Sequence, residues 1–134
     1  MPKSLKTSRD VLGLILFGRV PAWAGEQTPR YFSLHTANPT DGNQTTGEVS
    51  YDGYRRQEVK VWDDIESTSY ANHDLIQFPI NVNADTAPIT HICLGLESEG
   101  AGQVLYVGPV RRPKAIKFNS QPRIEAGEFV VSED

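Results

Sequence analysis

The chain has 134 residues, enough for one domain with a hydrophobic core but too few for two. Its formal net charge of −4 argues against a nucleic-acid-binding protein, whose surface needs concentrated positive charge. Because Cys93 is the single cysteine, an internal disulfide is excluded, and its apolar neighbours predict a small buried side chain rather than a reactive thiol.

Residues 1–28 form an N-terminal arm and a short helix. Residues 1–7 are polar and predict an extended arm, whereas Ser8 or Asp10 can cap a helix that ends at Gly18. A helix of about ten residues is marginal alone in water, so its apolar residues need a partner surface. The preferred prediction is that the helix closes one end of its own domain, and the alternative is that it docks on a neighbouring subunit. Its apolar run is too short to span a bilayer, and neither secretion nor membrane insertion is expected.

Residues 29–134 are predicted to form the β domain. Alternating apolar residues indicate a strand at 31–36, and a second, charged strand at 54–61 is expected to bury Val59 and Val61. The roughly fifteen residues between them predict a loop, in which Asp41-Gly42 forms a tight turn and nearby hydroxyls make local turns. A loop of this length inside a compact domain is a natural place for function.

The later segments continue the strand pattern. Residues 65–74 predict a polar connection with Tyr70 packed inward, 75–80 a strand, and 89–96 the central strand. A Gly-rich turn joins the central strand to 103–107, prolines at 109 and 113 interrupt the pattern, and strands resume at 115–118, 121–126 and 128–131. Seven or eight short strands indicate a single antiparallel β-sandwich, jelly-roll-like in character.

No group of residues in the sequence has the spacing of a catalytic or metal site. The acidic residues near His73 match neither a calcium loop nor a zinc motif, and His35 and His91 are expected to be hydrogen-bonded structural histidines. Nucleophile motifs and phosphate-binding glycine loops are also missing from the sequence. We therefore expect neither an enzyme nor a cofactor.

Several motifs together resemble a known family. The segments LHTANP, TDGNQTTGEVSYDGYRRQEV, ITHICLGLESEGAGQVLYVGPV and EAGEFVVSED, between residues 31 and 134, are similar to small virion structural proteins of tailed bacteriophages. Members are labelled either head-decoration (cement) or tail fibre proteins. The resemblance implies a non-enzymatic β-sandwich that is assembled in the host cytoplasm and resides in the virion. It leaves the place in the virion open, and the capsid surface is the preferred expectation.

Two functions follow from this resemblance. The preferred one is a capsid cement protein, a homotrimer that bridges subunits of the major capsid protein, because the chain lacks the long stalk that a fibre module usually needs. The alternative is a tail fibre or receptor-binding module that recognises the host surface. Neither nucleic acid nor membrane is expected as a partner. The residues predicted to contact a partner are Leu5, Leu12, Ile15, Phe17, Asn38, Asp41, Asn43, Arg55, Arg56, Arg111 and Arg112.

Overall fold

The computed structural model describes residues 3–24, 29–66 and 68–132. One α-helix, α1 (Leu5–Phe17), precedes a 3-10 turn at Ala22–Ala24. The strands that follow are β1 (Arg30–His35), β2 (Gln57–Val59), β3 (Trp62–Glu66), β4 (Ser69–Asn72), β5 (Ile76–Gln77), β6 (Pro88–Gly95), β7 (Val104–Ala115), β8 (Arg123–Ile124) and β9 (Val130–Ser132). None of the helical residues described forms a segment long and apolar enough to cross a membrane.

All strand pairs are antiparallel, and they form three sheets. The largest sheet has the order β2-β1-β6-β7, the second has β3-β4-β9, and β5 pairs with β8 alone. The predicted mainly β antiparallel fold is confirmed, although the described residues contain nine strands rather than seven or eight.

The core lies between the four-stranded sheet and the β3-β4-β9 sheet. Phe32 of β1 contacts Phe129, with ring centroids 4.6 Å apart, and Trp62 of β3, at 6.1 Å. Leu94 of β6 lies directly opposite Phe32 in the β1–β6 ladder, and both are buried. Aromatic contacts of this kind add edge-to-face attraction to the burial of large apolar surfaces.

Strand β6 is central, as predicted, because it pairs with β1 on one side and β7 on the other. Its alternation places Leu94 in the main core and Cys93 in a second buried cluster with Val104 and Val107. Burial raises the pKa of the Cys93 thiol, so this side chain is an inert apolar group. The prediction for Cys93 is confirmed.

Strand β7 does not end at the prolines, so the predicted interruption is wrong. It continues through Pro109 and Pro113, but its register on β6 shifts from His91 opposite Pro109 to Ile89 opposite Lys114. Four residues, 110–113, therefore oppose the single residue Thr90 and form a large β-bulge. The prolines lack the N–H groups that a regular ladder would need, which explains why they lie at the edges of the bulge.

Several other predicted strand boundaries differ from the structure. The strand predicted at 54–61 is only the three-residue β2, and Val61, which was expected to be buried, is exposed. The polar connection predicted at 65–74 contains β4, on which Tyr70 is half exposed rather than packed inward. The buried Asn72 of β4 donates to the carbonyl oxygens of Asp74 and Glu125 and accepts from Phe129 N. Backbone partners thus satisfy a polar strand inside the fold. Predicted strands 75–80, 121–126 and 128–131 shorten or shift to β5, β8 and β9, and residues 116–118 lie beyond the end of β7.

The helix starts earlier than predicted. Its N-cap is Ser4, whose hydroxyl accepts a hydrogen bond from Thr7 N at 3.2 Å, and it ends at Gly18, which has a φ of 67°. Ser4 N also donates to the carbonyl of Leu105 at 2.9 Å. The described part of the predicted arm, residues 3–7, is therefore attached to β7 rather than extended, and residues 1 and 2 lie outside the described residues.

Replacing Leu94 with alanine should lower the free energy of unfolding by about 2–5 kcal/mol, because it removes buried methyl groups and leaves a cavity beside Phe32. Urea unfolding followed by circular dichroism measures this change. The matched control is Leu75→Ala, whose side chain is 43 % exposed and which should lower the free energy of unfolding clearly less than Leu94→Ala does. Equal effects of the two substitutions would contradict the assigned core.

Candidate functional site

The most unusual surface of the protein is the outer face of α1. Its exposed apolar side chains include Leu5 at 78 %, Ile15 at 70 % and Leu16 at 66 % of their full accessibility. At about 100° per residue, Leu5, Leu12, Ile15 and Leu16 lie within an arc of about 100° on the side away from the buried Thr7. A soluble domain normally turns such a stripe towards its own core.

Polar contacts, not apolar packing, hold α1 on the domain. The hydroxyls of Ser4 and Thr7 donate to the carbonyl oxygen of Val104, and Asp10 Oδ2 accepts from Trp23 Nε1 at 2.7 Å and Gln103 Nε2 at 3.1 Å. The hydrogen bond from Trp23 lowers the pKa of Asp10, which keeps this acceptor charged. The helix is thus oriented while its apolar stripe stays exposed. The prediction that these side chains are buried in their own domain is wrong.

The long loop between β1 and β2 reaches the first turn of α1. Asn38, Pro39 and Thr40 line a depression of about 300 Å³ together with Ser4 and Leu5. Next along the loop, Gly42 turns with a φ of 74°, and its carbonyl accepts from Val104 N at 2.7 Å. This left-handed φ favours glycine at position 42, whereas space does not require it, because an added Cβ would lie at an ordinary contact distance of 3.7 Å from Ser4.

Asp41 and Asn43, both predicted to contact a partner, make hydrogen bonds within the loop itself. Asp41 accepts from Asn43 N at 3.0 Å and from the Thr46 hydroxyl at 2.7 Å, and these hydrogen bonds, that from Thr46 first, lower the pKa of Asp41. Asn43 in turn accepts from Thr45 N at 2.9 Å. The predicted local turns are present. Leu5 and Asn38 thus line one depression, and Asp41 and Asn43 follow on the same loop.

A buried ion pair fixes the other part of the loop. Arg56 and Glu48 make two parallel hydrogen bonds of 2.8 Å, with side chains only 3 % and 15 % exposed. Arg56 also donates to the carbonyls of Glu97 and Gly100, and Tyr54 donates to Glu48 at 2.8 Å. Burial alone would lower the pKa of Arg56, but the hydrogen bond and charge of Glu48 outweigh it and raise the pKa. Arg56 is corrected from a surface contact to a buried structural cation.

Two further buried polar residues connect the loop to the sheets. Gln44 is fully buried, accepts from Glu97 N at 2.9 Å and donates to Glu97 O at 3.1 Å. His35 Nδ1 lies 2.9 Å from the carbonyl of Thr46, so Nδ1 carries the proton and Nε2 accepts from Ser33 at 2.8 Å. Burial lowers the pKa of His35. Its predicted structural role agrees with these contacts, while the roles of Gln44 and Glu48 had no recognisable sequence signal.

The remaining predicted contact residues lie elsewhere. Leu12, Ile15 and Phe17 are exposed on α1, with the Arg19 guanidinium 4.8 Å from the Phe17 ring centroid. Arg55 is exposed beside the Glu48–Arg56 pair. Arg111 and Arg112 lie on the β7 bulge, at least seven residues along the chain from the α1 contact at Val104.

His73, near which the sequence has several acidic residues, makes a hydrogen-bonded pair with Asp63. His73 Nδ1 lies 2.8 Å from Asp63 Oδ1 at the surface, and this hydrogen bond raises the pKa of His73. Within residues 3–24, 29–66 and 68–132 there is no group of three or more side chains that could hold a metal ion.

Comparison with known proteins gives one family match. The model of the family described as Podophage GP4 fiber I protein gp80 matches residues 15–132, which is most of the chain. A search of curated proteins found no match.

Removing the cation of the buried pair should be costly. Arg56→Met leaves Glu48 buried without a counter-charge, and we expect the free energy of unfolding to fall by about 3 kcal/mol or more. The exposed neighbour provides the control Arg55→Met, which should have little effect. In the double variant Glu48→Gln, Arg56→Met the loss should be smaller than in Arg56→Met alone, and a larger loss would contradict the ion-pair assignment.

Lowering the pH below about 6.5 should destabilise the protein. The pKa of His35 in the folded state lies below its ordinary value of 6.5, so the unfolded chain binds more protons in this window and stability falls as the pH falls. His91, whose pKa burial also lowers, adds in the same direction. The pKa of His73 is raised in the folded state, so its contribution to stability changes above pH 6.5, where it is lost as the pH rises.

Urea unfolding between about pH 7.5 and pH 5 tests this dependence. The free energy of unfolding should fall less steeply with decreasing pH in His35→Gln than in the wild-type protein. In His73→Gln its dependence on pH below 6.5 should match that of the wild-type protein. A stability that is flat or rises on acidification in the wild-type protein would contradict the neutral, buried state of His35.

Proposed function

The chain belongs to the family of the podophage fibre protein gp80, a family of bacteriophage structural proteins, and we propose that it is a subunit of a virion fibre that assembles through α1. The family membership places the chain in the virion. The observation that carries the finer assignment is the apolar face of α1, exposed on a helix that its own domain holds rigidly in place.

An exposed apolar stripe suits a structural subunit better than a freely diffusing protein. Burying Leu5, Leu12, Ile15 and Leu16 in an interface would remove apolar surface from water, and the orientation of α1 is already fixed by its contacts with β7. Little conformational entropy is then lost on assembly. Such a preformed, apolar helix face resembles the core of obligate protein interfaces.

The spacing of the stripe favours a second copy of the same chain as the partner. Leu5 and Leu12 are seven residues apart, and Ile15 follows three residues later, as in the core positions of packed parallel helices. Identical stripes are self-complementary around a symmetry axis, and symmetric homo-oligomers are the commonest assemblies. We propose a small homo-oligomer, with a trimer as the expected form, whose α1 helices pack around the axis.

The sequence-based preference for a capsid cement protein gives way to the fibre assignment. A helix face of this kind could also dock on the major capsid protein, but the match is to a fibre protein, which favours the fibre assignment. The capsid surface therefore becomes the competing outcome of the following experiments.

Disrupting the stripe should abolish self-association without unfolding the domain. The double variant Leu12→Gln, Ile15→Gln should shift the mass measured by light scattering from oligomer to monomer, because polar groups replace the apolar interface. The control Val82→Gln changes an equally exposed residue outside α1 and should remain oligomeric. A monomeric wild-type protein, or an oligomeric double variant, would refute self-association through α1.

Phage particles that lack this chain should contain normal, heat-resistant heads but adsorb poorly to host cells. Immunogold labelling of wild-type virions should mark the tail, with tens of copies rather than hundreds. Labelling over the whole head, together with heads that lose DNA on heating and cells that still adsorb phage, would replace the fibre assignment with the cement assignment.

A further inference from the structure

The β7 bulge carries an unusual concentration of positive charge. The segment 109–124 contains five of the chain's 13 lysines and arginines and no acidic residue. These cations are Arg111, Arg112, Lys114, Lys117 and Arg123. The bulge pushes Arg111 and Arg112 out of the regular ladder, and the turn after β7 together with β8 supplies the others. Bulges commonly redirect side chains in this way beside functional sites.

The cations surround a cleft, not a flat surface. One depression of about 500 Å³ is lined by Arg111, Arg112 and Glu128 over the apolar residues Ile92 and Phe129. An adjoining depression of about 350 Å³ shares Ile92, Val110, Arg112 and Glu128 with the first and extends to Lys114, Lys117 and Arg123. Each volume lies in the range of small-molecule sites, and together they form a groove with an apolar floor and a charged rim.

The charges of the cleft are largely available for a ligand. Among the residues that the structure describes, Arg111, Arg112 and Lys114 make no ion pair or side-chain hydrogen bond. Lys117 pairs with Asp85 at 3.5 Å and Arg123 with Glu125 at 2.9 Å, but all four of these side chains are about half exposed or more. Such exposed pairs are weak and exchange readily with another anion.

We propose that this cleft binds an acidic polysaccharide, in which sugar units carry carboxylate or phosphate groups. The arginine guanidinium groups provide two parallel donors for each such anionic group. The apolar floor formed by Ile92 and Val110 can pack against the C–H faces of the sugar rings, while Glu128 and Gln121 can hydrogen-bond to hydroxyl groups.

Two features favour a glycan over a nucleic acid. The chain as a whole is negative, which repels a long polyanion away from the cleft. Glu128 lies among the cations of both depressions, and its carboxylate would repel a continuous row of phosphates but accept hydrogen bonds from sugar hydroxyls. The concave shape likewise suits a chain of small units better than the flat face of a second protein.

This inference rests on the proposed function and deepens it, since a fibre that recognises the host surface needs a binding site for a surface glycan. Its test nevertheless uses the purified chain alone. Binding to an acidic glycan would therefore remain established even if immunogold labelling placed the chain on the head, and a fibre location would remain established if the cleft bound nothing.

The experiment measures binding of the full chain by calorimetry to four probes of matched length: oligogalacturonate, a phosphorylated mannan oligosaccharide, a neutral maltooligosaccharide and single-stranded DNA. We expect binding to one or both acidic glycans and not to the neutral one. The variant Arg111→Gln, Arg112→Gln should bind roughly tenfold more weakly. The charge-matched control Arg55→Gln, Lys60→Gln removes two exposed cations outside the cleft and should retain wild-type affinity.

The two acidic probes distinguish carboxylate from phosphate as the recognised group. Thermal unfolding of each variant checks that the fold is intact, and Arg112→Lys, which keeps the charge but not the paired donors, should bind with intermediate affinity. The proposal is overturned by any of four results: no binding to either acidic probe, equal binding of the neutral probe, tighter binding of DNA, or equal weakening in the control variant.

Discussion

The buried ion pair between Glu48 and Arg56 is the interaction on which the order of the long loop between β1 and β2 depends. It joins a long polar loop to the connection between β6 and β7, because Arg56 also reaches the carbonyls of Glu97 and Gly100. Ordering a loop of this length costs conformational entropy, and these contacts offset that cost. Since Glu48 accepts two hydrogen bonds from Arg56 and one from Tyr54, its charge is compensated and the loop becomes part of the scaffold.

The orientation of α1 follows from that rigid loop. The loop presents Gly42 to β7, and Val104 contacts both Gly42 and the first turn of α1 through its backbone groups. Polar bonds therefore determine where the helix lies, and its apolar residues are left for another surface. In the proposed assembly, folding relies on contacts within one chain, and association relies on the exposed stripe that contains Leu12 and Ile15.

Sequence patterns predicted the parts of the fold in which apolar residues alternate, such as β1, β6 and the buried Cys93. They failed for β4, because its buried Asn72 is satisfied by backbone groups that are distant in sequence, and for β7, because prolines that usually end a strand instead border a bulge. The exposed residues of α1 were recognised as apolar, but their exposure depends on tertiary contacts of Ser4 that no local pattern contains. For the same reason Arg56 could not be distinguished from its exposed neighbour.

Strand β7 contributes residues to both proposed surfaces. Its start holds α1 through Val104, whereas its bulge carries Arg111 and Arg112, seven and eight residues further along the chain. Residues of α1 do not line either depression of the basic cleft, so an assembly that buries α1 around a symmetry axis would repeat the cleft once in each subunit. Weak contacts between each cleft and a repeating polysaccharide would then act together, because one bound subunit raises the effective concentration of the ligand at its neighbours. An oligomeric fibre subunit can in this way bind firmly through individually shallow, solvent-exposed sites.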